Sequence, residues 1–151
     1  MKRLLFVLLA ASAGYGAYRY AVVDAPGRAF HAFARAWAME DTPAAVAWTS
    51  GTAAKSAAES HILRGVVRAP MEAFRGSSQE LESREAAPDG AVVLTVKQSI
   101  RYDPPGVTSG VGGAGVATVR HVARLKKTSN GWRVVEWAPE FLDARPRRDE
   151  R

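Results

Sequence analysis

The sequence contains no cysteine. That single absence excludes disulfides, thiolate catalysis, cysteine-ligated zinc and a lipidated N-terminal cysteine. Histidine is scarce: His31, His61 and His121 are the only three, and their spacing matches no short zinc-ligand motif. No metal and no cofactor are therefore expected. A concentrated patch of one charge sign is also missing. Of the 21 basic residues behind the net charge of +6, Lys2 and Arg3 belong to the N-terminal segment, and the rest are interleaved with 15 acidic ones. Nucleic-acid surfaces gather their cations on one face beside stacking aromatics. Outside the C-terminal stretch no such cluster occurs, so no nucleic-acid partner is expected. A phosphate-cradling loop is absent as well. The glycine-rich stretch Gly106–Gly115 joins two alternating segments, whereas a dinucleotide loop leads from a strand into a helix N-terminus. It reads as a hairpin tip.

What is present suits one globular domain behind a targeting segment: 151 residues, 47% hydrophobic and 24% charged. Lys2 and Arg3 form a positive n-region, Leu4–Ala11 an apolar run, and Ala11-Ser12-Ala13 an A-x-A-like cleavage site. The apolar character continues past that site. Leu4–Val23 is 20 residues, about 30 Å as a helix, enough to cross a bilayer. Its one internal charge, Arg19, lies between Tyr18 and Tyr20, where it can snorkel to an interface that suits both rings. A cleaved signal peptide and an uncleaved anchor are both open, and either exports the domain. The expected division is 1–25 signal peptide or membrane anchor, 26–143 folded domain, and 144–151 charged tail. With an anchor, the protein is single-pass in the cytoplasmic membrane with its C-terminal domain outside. With cleavage near Ala13 it is periplasmic or secreted.

Pro26 is placed to open a helix in which Phe30, Phe33, Ala34 and Trp37 fall on one stripe. Thr42-Pro43 reads as the cap and first residue of a second short helix carrying Val46 and Trp48. Thr52 can cap a third helix, from Ala53 to about Val67, with Ala54, Ala58, Ile62 and Val66 as its stripe, and Pro70 closes the helical half. From Ser78 the period changes to two. A strand around Gln79–Glu85 turns at Asp89-Gly90 into a second strand, where Val92, Leu94, Val96, Ile100 and Tyr102 share a face. A third strand, Val116 to Lys127, places Ala117, Val119, His121, Ala123 and Leu125 together. Ser129-Asn130-Gly131 signals a hairpin into a fourth strand, Trp132 to Trp137, stopped by Pro139. Three helices followed by a four-stranded antiparallel meander predict an α+β domain with the helices on one face of a curved sheet.

This order resembles the NTF2-like superfamily, and within it the NTF2-like N-terminal domain of class B penicillin-binding proteins. The resemblance rests on the N-terminal membrane segment, on Phe33-Ala34-Arg35-Ala36-Trp37-Ala38 with Asp41 and Ala44-Ala45 after it, and on Gly131-Trp132-Arg133-Val134-Val135-Glu136-Trp137-Ala138-Pro139. It spans about residues 26 to 142 as a pattern of residue types and spacings. The chain carries no transpeptidase domain and no Ser-x-x-Lys, so no transpeptidase residue carries over. The resemblance implies a cone-shaped fold serving as a spacer or partner-binding module.

Among single residues His121 stands out, because it falls on the apolar face of its strand. An imidazole there, inside an NTF2-like hollow, is the one candidate general base. An acid partner is lacking on that face, since Asp103 is in the opposite phase to Tyr102. The bland reading is a structural histidine with a satisfied hydrogen bond. His31 and His61 sit on separate helices, off their apolar stripes. Trp37, Trp48, Trp132 and Trp137 read as core rather than as a ligand cage. Two functions follow: a non-catalytic envelope binding or assembly module that docks a protein partner on the sheet's exposed face or the glycine-rich loop, or an isomerase- or hydrolase-type small-molecule pocket bounded by Phe33, Trp37, Tyr102, His121 and Trp137.

Overall fold

Pro26 supplies a preset φ in the first turn, where its missing N–H costs nothing, and helix α1 runs Ala25–Ala38. The computed structural model describes residues 24–60, 70–103 and 114–146. The expected stripe is the buried one: Phe30, Phe33, Ala34 and Trp37 all face the core. α1 ends in a Schellman turn, with Asp41 N–H on the Ala36 carbonyl at 3.0 Å and Glu40 held at φ 55°. Helix α2, Thr42–Ala47, is capped by Asp41, whose carboxylate accepts from Ala44 N–H at 3.1 Å. The cap is thus one residue earlier than the Thr42 read from sequence.

Helix α3, Thr52–Glu59, is shorter than expected, and Ser60 after it is extended. Residues 61–69, the rest of the expected helix with His61, lie outside the described residues. The stripe is Ala53 and Ala57 rather than Ala54 and Ala58. Thr52 does not cap; its hydroxyl donates instead to the Val135 carbonyl at 3.1 Å. Pro70 opens a single further turn, α4, Pro70–Ala73, where the sequence suggested only an end.

Four antiparallel strands follow in the order β1-β2-β3-β4: β1 Phe74–Ala86, β2 Val92–Tyr102, β3 Gly115–Thr128 and β4 Gly131–Pro146. The fold is α+β, with three helices, the α4 turn and one four-stranded sheet among the described residues. β2 and β3 alternate as read, and Val92, Leu94, Val96, Ile100 and Tyr102 are buried with Ala117, Val119, His121, Ala123 and Leu125. β1 starts earlier than read, at Phe74, and takes irregular steps at Phe74/Gly76 and Leu81/Ser83 along its length. The β1–β2 connection is a turn from Ala87 to Gly90, with Gly90 N–H on the Ala87 carbonyl and Gly90 at φ 77°.

β4 does not stop at Pro139, which pairs with His121 and lies within the strand. Proline is tolerated there because β4 is at the sheet edge, where a missing N–H breaks no ladder. That edge is partly closed. A register shift between Arg124 and Leu125 leaves Val135 as the extra residue. Val134 then exchanges backbone bonds with Trp48 and Ser50, at 3.0 and 2.9 Å, and Thr49 forms a parallel bridge to it.

The outer sheet face carries crossed ion pairs. Arg120 binds Glu82 at 2.8 Å and Glu140 at 3.2 Å. Asp89 binds Lys126 at 2.6 Å and Arg124 at 2.7 Å, and those two hydrogen bonds hold its carboxyl well below the usual range. Where β3 begins, a Cβ on Gly115 would stand 2.6 Å from the Arg145 carbonyl oxygen. Gly115→Ala is therefore expected to cost about 1–3 kcal/mol by forcing the β3–β4 backbones apart, read as a lower urea midpoint; an unchanged midpoint would contradict this register.

Among the described residues no helix is long and apolar enough to cross a membrane. Residues 4–23, on which both targeting readings fall, lie outside the described set, as do 104–113 of the glycine-rich region and 147–151 of the tail.

Candidate functional site

Three strands and one helix bring His121 into a closed chain of hydrogen bonds. His121 on β3 sits opposite Val96 of β2 and Pro139 of β4. Residues two positions away on the same pleated face are its diagonal neighbours. On β2 that neighbour is Gln98, and on β4 it is Trp137. The Trp137 indole N–H donates to His121 Nδ1 at 3.1 Å. Since Nδ1 accepts, the ring proton is on Nε2, which meets Gln98 Oε1 at 2.9 Å. The Gln98 amide then donates to the Ala34 carbonyl of α1 at 3.1 Å. Every group points one way: indole to imidazole to amide to helix backbone. Gln98 and His121 are both fully buried.

Aromatic rings fill the space around this chain. Trp37 meets His121 edge-on at 5.1 Å, and Phe30 does so at 5.6 Å. Trp137 lies nearly parallel to the imidazole at 6.0 Å. Phe33 and Trp37 pack edge-on against Trp137 at 5.1 and 5.3 Å. Of the five residues singled out as a pocket lining, Trp37, His121 and Trp137 are thus in mutual contact, and Phe33 joins them through Trp137. Tyr102 stands apart, at the far end of β2, against Phe74 and with its hydroxyl on the Ala38 carbonyl at 3.2 Å. All five are buried.

Burial pushes the His121 imidazole down to about 3. Protonation would also place a hydrogen on Nδ1, facing the Trp137 N–H. The ring is therefore neutral at ordinary pH, with both nitrogens engaged, and has no lone pair free to take a proton from a substrate. The same shift makes stability depend on pH. The folded value is below the unfolded one, so between pH 6.5 and 3 the unfolded chain binds a proton that the folded chain does not. Stability is whole above about pH 6.5 and falls below it, with a slope approaching about 1.4 kcal/mol per pH unit. Urea unfolding at pH 7, 6, 5 and 4.5 reads this, and His121→Gln is expected to flatten the slope. A slope that persists in that variant would assign it elsewhere.

Sequence reading missed Gln98. The signal was there: it stands in the inward phase between Val96 and Ile100, beside an inward histidine on the next strand.

An open groove of about 330 Å³ lies elsewhere, between the first two turns of α1 and the helix-side face of β1. Leu94 and Val96 contribute to its lining beside Leu81, which is 56% exposed. His31 borders this groove, while His121 does not line it. Among the described residues no group of three His, Asp or Glu side chains could hold a metal ion. No family model matches the chain, and no curated protein or solved structure matches it either.

Proposed function

We propose that this protein is a membrane-anchored, extracytoplasmic module of the bacterial cell envelope that binds or assembles a protein partner and performs no chemistry of its own. The observation that carries the reading is the saturation of His121. The candidate base His121 has both ring nitrogens in hydrogen bonds and aromatic rings against it. A small-molecule enzyme built around His121 needs a free nitrogen and space beside it, and this packing weighs against that alternative. The NTF2-like assignment belongs to the same proposal. It draws support from the order of three helices and a four-stranded antiparallel sheet, and from the resemblance of residues 26 to 142. The anchor is the run Leu4–Val23, and the exposed sheet face is the docking surface.

The test is fractionation of the tagged full chain from a bacterial host, with a carbonate wash, intact mass, and crosslinking in place. The reading expects a full-length mass in the washed membrane and a crosslinked protein that is lost when outer-face residues such as Val122 are changed to Glu. A chain beginning near Gly14 in the soluble fraction would overturn the anchor. Loss of function on His121→Gln in a protein shown to be folded would overturn the non-catalytic reading.

A further inference from the structure

The two ends of the domain differ, and α1 fixes which end is nearest the N-terminal segment. At its C-terminal end the Ala38 carbonyl binds Tyr102, the last residue of β2. At its start, Gly27 and Arg28 share a groove with Arg84 and Leu94, near the other end of the strands. The start of α1, the β1–β2 turn and the β3–β4 hairpin therefore lie at one end of the domain, which we call the turn end.

Only Asp24 separates Val23, the last residue of the apolar run, from Ala25, the first of α1, and Asp24 itself has helical φ and ψ. One residue spans at most about 3.5 Å. Such a linker leaves the domain no tether on which to stand off from a membrane that holds residues 4–23.

The hairpin at this end has the chemistry of an interface. From Arg124 to Arg133 the chain carries Arg124, Lys126, Lys127 and Arg133 and no carboxylate. Asp89 engages the first two. Lys127 is exposed and sits directly across the strand pair from Trp132. The Arg133 guanidinium lies over the Trp48 ring at 5.3 Å. Lysines and arginines beside half-buried tryptophans suit the headgroup layer: the cations meet lipid phosphate while the indoles occupy the apolar boundary.

We infer that the turn end of the domain rests on the anionic surface of the bilayer, with the β3–β4 hairpin as its contact, and that the opposite end, at Met39–Thr42, points away. This rests on the anchored reading above. It makes the protein a module of fixed height and orientation, which presents the outer sheet face sideways, along the membrane.

The absence of cysteine makes the test direct, because each introduced cysteine is unique. Full-length Asn130→Cys, at the hairpin tip, and Thr42→Cys, beyond the far end of α1, are labelled with a fluorophore. Both are reconstituted into vesicles about one-third phosphatidylglycerol in phosphatidylethanolamine, doped with headgroup-nitroxide lipid. α1 is 14 residues long, about 21 Å, so the labels sit at clearly different heights. The expected result is quenching at least about threefold stronger at Asn130 than at Thr42, reduced by K126E/K127E or by replacing the anionic lipid with phosphatidylcholine. Equal quenching in protein that resists carbonate extraction would overturn the inference and leave the anchored reading standing. Protein extracted by carbonate would overturn both.

Discussion

Trp137→Ala is expected to lower the free energy of unfolding by about 3–5 kcal/mol. The indole is buried and packs edge-on against Phe33 and Trp37 while lying parallel to His121. Neighbours held by a strand on one side and a helix on the other cannot collapse far into the space it leaves. The substitution also strips His121 Nδ1 of its donor. A loss of that size approaches the whole stability of a small domain, so Trp137→Phe is the companion. It keeps most of the apolar contact, removes the N–H, and should cost about 1–3 kcal/mol. Both are read by urea titration at pH 7. A cost under about 1 kcal/mol for Trp137→Ala would mean that the indole does not seal the core between α1 and the sheet.

Gln98→Leu should cost about 2–4 kcal/mol despite making the core more apolar. Leucine fits the volume, but His121 Nε2–H then points at hydrocarbon with no acceptor, in a site without water access. The asymmetry between removing one partner and removing both gives a sharper result. His121→Phe in turn leaves the Trp137 indole N–H without its acceptor. The double variant Gln98→Leu/His121→Phe therefore keeps one orphaned donor. It is expected to cost less than the sum of the two single changes, with a coupling of about 1–3 kcal/mol. Additive losses would show that the two side chains act independently and that the relay is a coincidence of packing.

The faces of β2 and β3 were legible because the sheet is buried on one side and wet on the other, and a one-residue slip would expose the whole apolar set. The α1 stripe was equally clear, since Phe30, Phe33 and Trp37 are too large to be placed anywhere but inward. Gln98 escaped because alternation is normally read by polarity, and a polar residue in the inward phase looks like a gap in the pattern. Its partner, His121, was visible from the next strand. The pair only makes sense once register sets Gln98 and His121 on diagonal positions.

The phase of α3 could not be read. A helix of alanine, serine, threonine, lysine and glutamate has no large residue to define its face, and the observed phase buries Ala53 and Ala57 while the Thr52 hydroxyl donates to the Val135 carbonyl. β1 was hidden in its first half by Gly76, Ser77 and Ser78, which resemble a loop. Pairing along the full length of β2 draws that stretch into the sheet. Pro139 misled in the opposite direction, because a proline ends a central strand but not an edge one.

The non-catalytic function rests most on His121 being a closed structural group rather than a poised base. Nitrogen-15 NMR of the histidine side chains, followed from pH 7 to 4.5 in the folded protein, tests it most directly. The predicted result is one imidazole held as the neutral Nε2–H tautomer, with Nδ1 shifted as a hydrogen-bond acceptor and no titration while the fold persists. An His121 resonance that titrates near pH 6.5 with the protein folded would contradict the account and reopen a catalytic reading of the site.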